Sequence, residues 1–185
     1  MDALRDRIPD YARDLRLNLS SVLTPQGAPG LSEAQLWMTA LASAIASRNA
    51  ELARAIEAAA TEKLEPVQVE AARAAAAIMG MNNVYYRFLH LVENGEYGTL
   101  RAGLRMNAMA NPGGDKIDFD LASVAVSAIN GCGSCVASHE RTLRKHDVSA
   151  QAVQSAARIA AVIHAVAVVL EQQQAAASAP AAQAA

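Results

Sequence analysis

This sequence predicts an all-α domain, and three observations carry that reading. The composition is 52% hydrophobic yet only 4% aromatic, and it is dominated by alanine rather than by large apolar side chains. Alanine costs least in a helix, and small side chains let helices approach closely. Apolar residues recur at helical spacing along most of the chain, and Gly/Pro clusters cut it into helix-length pieces. At 185 residues the chain can bury one well-packed core.

The elements follow in order. Residues Ile8 to Leu23 read as a helix, with Pro9 near its start, where a missing N–H does no harm. Thr24-Pro25-Gln26-Gly27-Ala28-Pro29-Gly30 is a loop. Ser32 with Gln35 forms a capping box that opens a helix running to about Arg48. Further helices are expected over Ala50–Lys63, over Pro66–Asn94 with a break near Gly80, and over Tyr97–Ala110. Asn111-Pro112-Gly113-Gly114 is a strong stop, after which helices run from Phe119 to Asn130, Cys132 to Lys145 and Ala150 to Glu171. Residues 1–171 thus form a single domain, and residues 172–185 an Ala/Gln-rich flexible tail.

A weak echo runs through this pattern. Ser43-Ala44-Ile45 returns as Ser127-Ala128-Ile129, and Ala71-Ala72-Arg73 returns as Ala156-Ala157-Arg158. A duplicated helical unit would explain both, and would place Arg48 and Glu51 where the other copy has Cys132 and Cys135.

The charge balance narrows the function classes. A net charge of −2 and a pI near 6.1 supply no basic face for nucleic acid or anionic lipid. The first residues contain no long apolar run of the kind a signal peptide needs, and the most apolar segment, Ile159 to Leu170, is too short to cross a bilayer. A cytoplasmic location is expected. In that reducing compartment a lone cysteine pair is a cycling dithiol or a metal ligand pair rather than a permanent staple.

That pair is the sharpest chemical signal. Cys132 and Cys135, the only cysteines present, stand three apart in Asn130-Gly131-Cys132-Gly133-Ser134-Cys135. Chance would give that spacing roughly one time in a hundred. Gly131 ends one helix and places Cys132 at the start of the next, where unpaired N–H groups and the helix dipole stabilise a thiolate. His139, one turn beyond Cys135 on the same face, can carry its proton. Such a histidine needs a third group to orient it, and Asp120 on the preceding helix suits better than Glu140, which points to another face.

Other candidates read more simply as structure. His146 suits a helix C-terminus, while His164 and His90 look like buried structural residues. Met79, Met81, Met106 and Met109 look like core filler, and helix-start electrostatics alone could account for Asp118 and Asp120. The rival functional class is a zinc module built on Cys132, Cys135 and His139, with Asp120 or His146 as fourth ligand. Structural zinc sites usually join two separated ligand pairs, and no second pair is present.

With these residues assembled, the sequence resembles the alkyl hydroperoxide reductase D family within the carboxymuconolactone-decarboxylase-like superfamily. The shared signature is an acid, eleven residues, Cys-x-x-Cys, three residues and a histidine. Flanking matches include Gln35-Leu36-Trp37, Ile78-Met79-Gly80-Met81-Asn82-Asn83-Val84 and Leu104-Arg105-Met106-Asn107. The likeness extends over about residues 8 to 170.

That resemblance implies an all-helical fold with an internal repeat, assembled as a homotrimer. It implies thiol-dependent reduction of alkyl hydroperoxides, or transfer of electrons to the peroxiredoxin alkyl hydroperoxide reductase C. The reductant would be a dihydrolipoyl group on an acyltransferase recharged by lipoamide dehydrogenase, with no bound metal, haem or flavin. It assigns Cys132 and Cys135 to the redox disulfide, His139 to the proton relay and Asp120 to its acid. The family's acid is usually glutamate. The shorter Asp120 withdraws the carboxylate by roughly 1.5 Å, a gap that a water or a backbone shift would have to fill. Ser134 stands where some members carry a histidine.

Overall fold

A computed structural model of the protein describes residues 1–178, which form ten α-helices and no strand. The helices are α1 (Asp2–Asp6), α2 (Arg13–Val22), α3 (Glu33–Ala46), α4 (Ala50–Ala60), α5 (Pro66–Leu91), α6 (Glu96–Thr99), α7 (Asn107–Ala110), α8 (Lys116–Ile129), α9 (Gly133–Lys145) and α10 (Ala150–Ser178). A 3₁₀ turn at Asp10–Ala12 precedes α2.

The centre of the bundle is α3 against α8, flanked on both by α5 and α10. Alanines make that close crossing possible: Ala40, Ala42 and Ala44 on α3, and Ala122 and Ala125 on α8, are all fully buried. Leu41, Ile56, Phe119, Ile159 and Ile163 fill the remaining space. Each contributes about 1.5–3 kcal/mol by leaving water. The capping box at Ser32 is present in full: Ser32 Oγ accepts from Gln35 N–H at 3.1 Å, and Ser32 N–H donates to Gln35 Oε1 at 3.0 Å.

The helix order and the burial pattern recur along the chain. The order α3–α4–α5 returns as α8–α9–α10, and the middle helix of each unit packs against the third helix of the other. Burial fixes the register. Leu52, Ile56 and Ala60 of α4 correspond to Cys135, His139 and Leu143 of α9, and Met79, Asn82 and Asn83 of α5 to Ile163, Val166 and Ala167 of α10. Arg48 and Gly131 occupy the same left-handed turn, at φ +63° and +67°. The partners of Cys132 and Cys135 are therefore Asn49 and Leu52, one residue later than the short sequence echoes suggest. Alanine-rich helices match each other in several registers, whereas caps and buried positions match in one.

Other expectations need correction. The Ile8–Leu23 segment is a 3₁₀ turn followed by α2 rather than one helix, and α5 passes through Gly80 unbroken. Tyr97–Ala110 is not a helix: only α6 and α7 form, neither buries a side chain, and Gly103 between them lies at φ +64°. A short segment without tertiary packing cannot repay helix nucleation. His164 and His90 are exposed, not buried. The buried stripe of α10 runs through Ile163, Val166 and Ala167, leaving His164 on the outer face.

Helix α10 continues seven residues past the expected end at Glu171, so 172–178 of the expected tail are helical. Tyr11 Oη donates to Gln172 Oε1 at 3.0 Å, and Gln174 Nε2 to Glu51 Oε2 at 2.8 Å. The rest of that tail, 179–185, lies outside the described residues. At this length α10 is long and apolar enough to cross a membrane, contrary to the sequence expectation. Half of its apolar window is instead buried in the bundle, against α2, α3 and α8.

Candidate active site

The site begins with the turn that joins α8 to α9. Gly131 N–H donates to Ala128 O at 3.1 Å and Cys132 N–H to Ser127 O at 3.0 Å, the two bonds of a Schellman motif. The motif requires a left-handed residue, supplied by Gly131. It delivers Cys132 to the N-cap of α9, where its Sγ accepts from Cys135 N–H at 3.4 Å. A sulfur so placed faces the positive end of a helix, the setting that favours a thiolate.

Cys132 and Cys135 are joined by a disulfide, with Cα atoms 5.3 Å apart. Their surroundings differ. Cys132 is fully buried, whereas Cys135 is 7% exposed and borders a pocket.

His139 lies one turn further along α9 and is 6% exposed. Its Nδ1 is 3.1 Å from Oδ1 of Asp120, which is 1% exposed in α8. The other carboxylate oxygen, Oδ2, accepts from Lys116 Nζ at 2.6 Å. Burial alone would push the Asp120 carboxyl up. The hydrogen bonds from His139 and Lys116, with the Lys116 charge, outweigh it and hold the group below the ordinary aspartate range. A carboxylate is acceptor-only, so Nδ1 carries the proton and Nε2 is left as the basic ring nitrogen. The shorter acid leaves no gap: Asp120 reaches the imidazole directly.

The pocket has a volume of about 320 Å³. Cys135, His139, Ser134 and Ser138 of α9 form one wall, and Met79, Asn82 and Tyr86 of α5 form the opposite one. Met106 and Met109, carried by the α7 segment, complete the lining, and Tyr86 Oη donates to Met106 Sδ at 3.7 Å. A satellite core of Leu121, Val124, Leu143 and Ala156 fixes α9 on α8, holding the histidine opposite its acid.

Of the residues singled out in the sequence, Cys132, Cys135, His139 and Asp120 come together. Glu140 does not join them; it faces Arg144 at 4.0 Å, near the surface. Asp118 accepts from Gln35 Nε2 at 2.9 Å, and partial burial raises its pKa. His146 caps the far end of α9 and is exposed. The zinc donor set is not assembled, because the two sulfurs are bonded to each other and His139 Nδ1 is engaged by Asp120. Among the described residues no group of three His, Cys, Asp or Glu side chains is arranged to hold a metal ion.

Sequence reasoning missed Lys116, although its position four residues before Asp120 on one helix was a usable signal. Met79, Met106 and Met109 are more than the core filler their residue type suggests. Met79 is buried, yet all three border the pocket. Asn82 stands in the sequence only within the Ile78–Val84 match, with no role attached to it.

Comparison with known proteins agrees with this picture. Residues 95–184 match the carboxymuconolactone decarboxylase family. The alkyl hydroperoxide reductase AhpD of Streptomyces coelicolor is 54% identical over 173 residues, covering 94% of this chain and 96% of its own. That of Frankia alni is 56% identical over 168 residues, covering 91% and 89%. The Brucella abortus protein of the same name is 52% identical over 176 residues, covering 92% and 96%.

Proposed function

This chain belongs to the AhpD family of alkyl hydroperoxide reductases and is a peroxide-reducing oxidoreductase, and from that premise we propose that it works through a Cys132–Cys135 dithiol/disulfide couple. The supporting observation is the disulfide at the pocket wall, with His139 one turn away and Asp120 behind it.

In the reduced protein, Asp120 orients His139 so that Nε2 takes the Cys135 proton. The Cys135 thiolate attacks the terminal oxygen of R–O–O–H. An S–O bond forms, the O–O bond breaks, and RO⁻ leaves with the electron pair and accepts the proton from His139. The Cys132 thiol then attacks the sulfenic sulfur and water leaves, which closes the disulfide. Cys135 goes first because it borders the pocket while Cys132 is fully buried.

The reductant in this reading is a dihydrolipoyl group, which opens the disulfide through a mixed disulfide and leaves as lipoyl disulfide. It arrives on a lipoylated dihydrolipoyl acyltransferase recharged by lipoamide dehydrogenase, and electrons can pass onward to the peroxiredoxin alkyl hydroperoxide reductase C. No bound cofactor is required. A cytoplasmic location fits a couple that must be re-reduced in every cycle.

Assembly as a homotrimer belongs to the same proposal. Its support is the apolar surface left unpartnered in the single chain: Val84, Phe88 and Leu91 late in α5, with Tyr97, Leu100 and Leu104 after it. The deciding experiment is peroxide reduction driven by dihydrolipoamide, with and without the peroxiredoxin. Peroxide consumption that depends on both cysteines is the expected result. A protein that neither consumes peroxide nor passes electrons on would refute the reading.

A further inference from the structure

Five buried side-chain polar atoms have no hydrogen-bond partner among the described residues: Arg16 Nε, Thr39 Oγ1, Ser43 Oγ, Asn82 Oδ1 and Ser123 Oγ. Only Asn82 borders the pocket that holds Cys135 and His139. The residue is 3% exposed, and its Oδ1 is closed off from solvent.

Two comparisons inside the molecule show that packing does not require this amide. The next residue, Asn83, is fully buried and fully used: its Nδ2 donates to Ser127 Oγ at 2.9 Å, and its Oδ1 accepts from Asn130 Nδ2 at 3.0 Å. Asn83 thus ties α5 to the turn before Cys132, and Asn82 has no such task. In the other copy of the repeat, the position of Asn82 is held by Val166, fully buried. The fold accepts valine there. A buried amide oxygen without a partner is costly, and the half of the bundle without the cysteines does without it.

We propose that Asn82 is a substrate-positioning residue whose carboxamide hydrogen-bonds the O–O–H end of a bound hydroperoxide. The terminal oxygen is then held toward the Cys135 sulfur, while the organic part of the substrate lies on Met79, Met106 and Met109. Thioethers are polarizable and adapt to irregular apolar shapes, which suits alkyl hydroperoxides of varied structure. The hydroxyl that Asn82 holds is the one transferred to sulfur; the O–O bond breaks and the alcohol departs as in the mechanism above. This inference rests on the peroxidase reading and adds to it the recognition of the O–O–H end.

The test is Asn82→Val, which installs the residue of the silent copy, with Asn82→Ser as a second variant that keeps a polar oxygen. Three quantities are compared with the parent protein: the second-order rate of dithiol oxidation by an alkyl hydroperoxide, the rate of exchange with a small disulfide reagent, and the thermal midpoint. The parent rate with hydroperoxide tests the peroxidase reading by itself. The expected result for Asn82→Val is a loss of about tenfold or more in the second-order rate with hydroperoxide, with disulfide exchange unchanged and the midpoint equal or higher. Asn82→Ser should lose less. Unchanged hydroperoxide kinetics would overturn the proposal. So would an equal fall in both reactions, because that would make Asn82 a structural support for the cysteines.

Discussion

Lys116 and Asp120 are bonded one turn apart on α8, Nζ to Oδ2 at 2.6 Å, and this contact leaves Oδ1 for the imidazole of His139. One carboxylate therefore serves two donors from inside the core. Removing either donor exposes the cost of the buried charge.

Acid sensitivity follows with a definite sign. The folded-state pKa of Asp120 lies below its unfolded value, so the stabilisation it brings is present above about pH 3.9 and is lost as pH falls through the depressed value. Lys116→Met removes two of the influences that lower that pKa. The acid limb of the stability curve should then move to higher pH, with about 1–3 kcal/mol lost at pH 7. Denaturant unfolding from pH 3 to pH 7 measures both effects.

Asp120→Asn keeps the shape and removes the charge. Peroxide reduction at neutral pH should fall about 10- to 100-fold, with an altered pH–rate profile, since an amide can donate as well as accept and no longer fixes the imidazole tautomer. A lower rate with an unchanged profile would leave Asp120 a structural role alone.

The two cysteines should fail differently. Cys135→Ser should abolish reaction with peroxide. Cys132→Ser should still react once, stopping at a sulfenic acid on Cys135 that a sulfenic-acid trap and intact-mass measurement detect. A Cys135→Ser protein that still forms a sulfenic acid on Cys132 would reverse the order of attack.

Gly131→Ala probes the turn rather than the chemistry. At φ +67° an added Cβ is strained, and about 1 kcal/mol of stability should be lost. Arg87 Nη1, 4.0 Å from that Cβ, offers no serious steric obstacle, so the loss reports backbone strain. Because the same turn places Cys132 at the N-cap, thiol oxidation should slow as well. Thermal unfolding and stopped-flow oxidation separate the two effects.

Much of the site could be read from the sequence because it is built from local geometry. Cys132, Cys135 and His139 share one helix, and a three- and four-residue spacing fixes their relation before any tertiary contact forms. Asp120 needed only that α8 fold back on α9. The opposite wall of the pocket was not legible, because Asn82 and Tyr86 reach it through packing between helices distant in sequence. Met106 and Met109 arrive on a segment with almost no helical structure, where periodicity carries no information. His164 illustrates the same limit within a helix: an apolar run does not say which of its faces turns inward.

The repeat gives the pocket an unequal parentage. Cys135 and His139 come from the second unit, and Met79, Asn82 and Tyr86 from the first, so the working copy borrows half its substrate wall from the silent one. With the pocket walls divided in this way, neither unit forms it alone. Truncation to either half would therefore remove the pocket and not merely shrink the bundle.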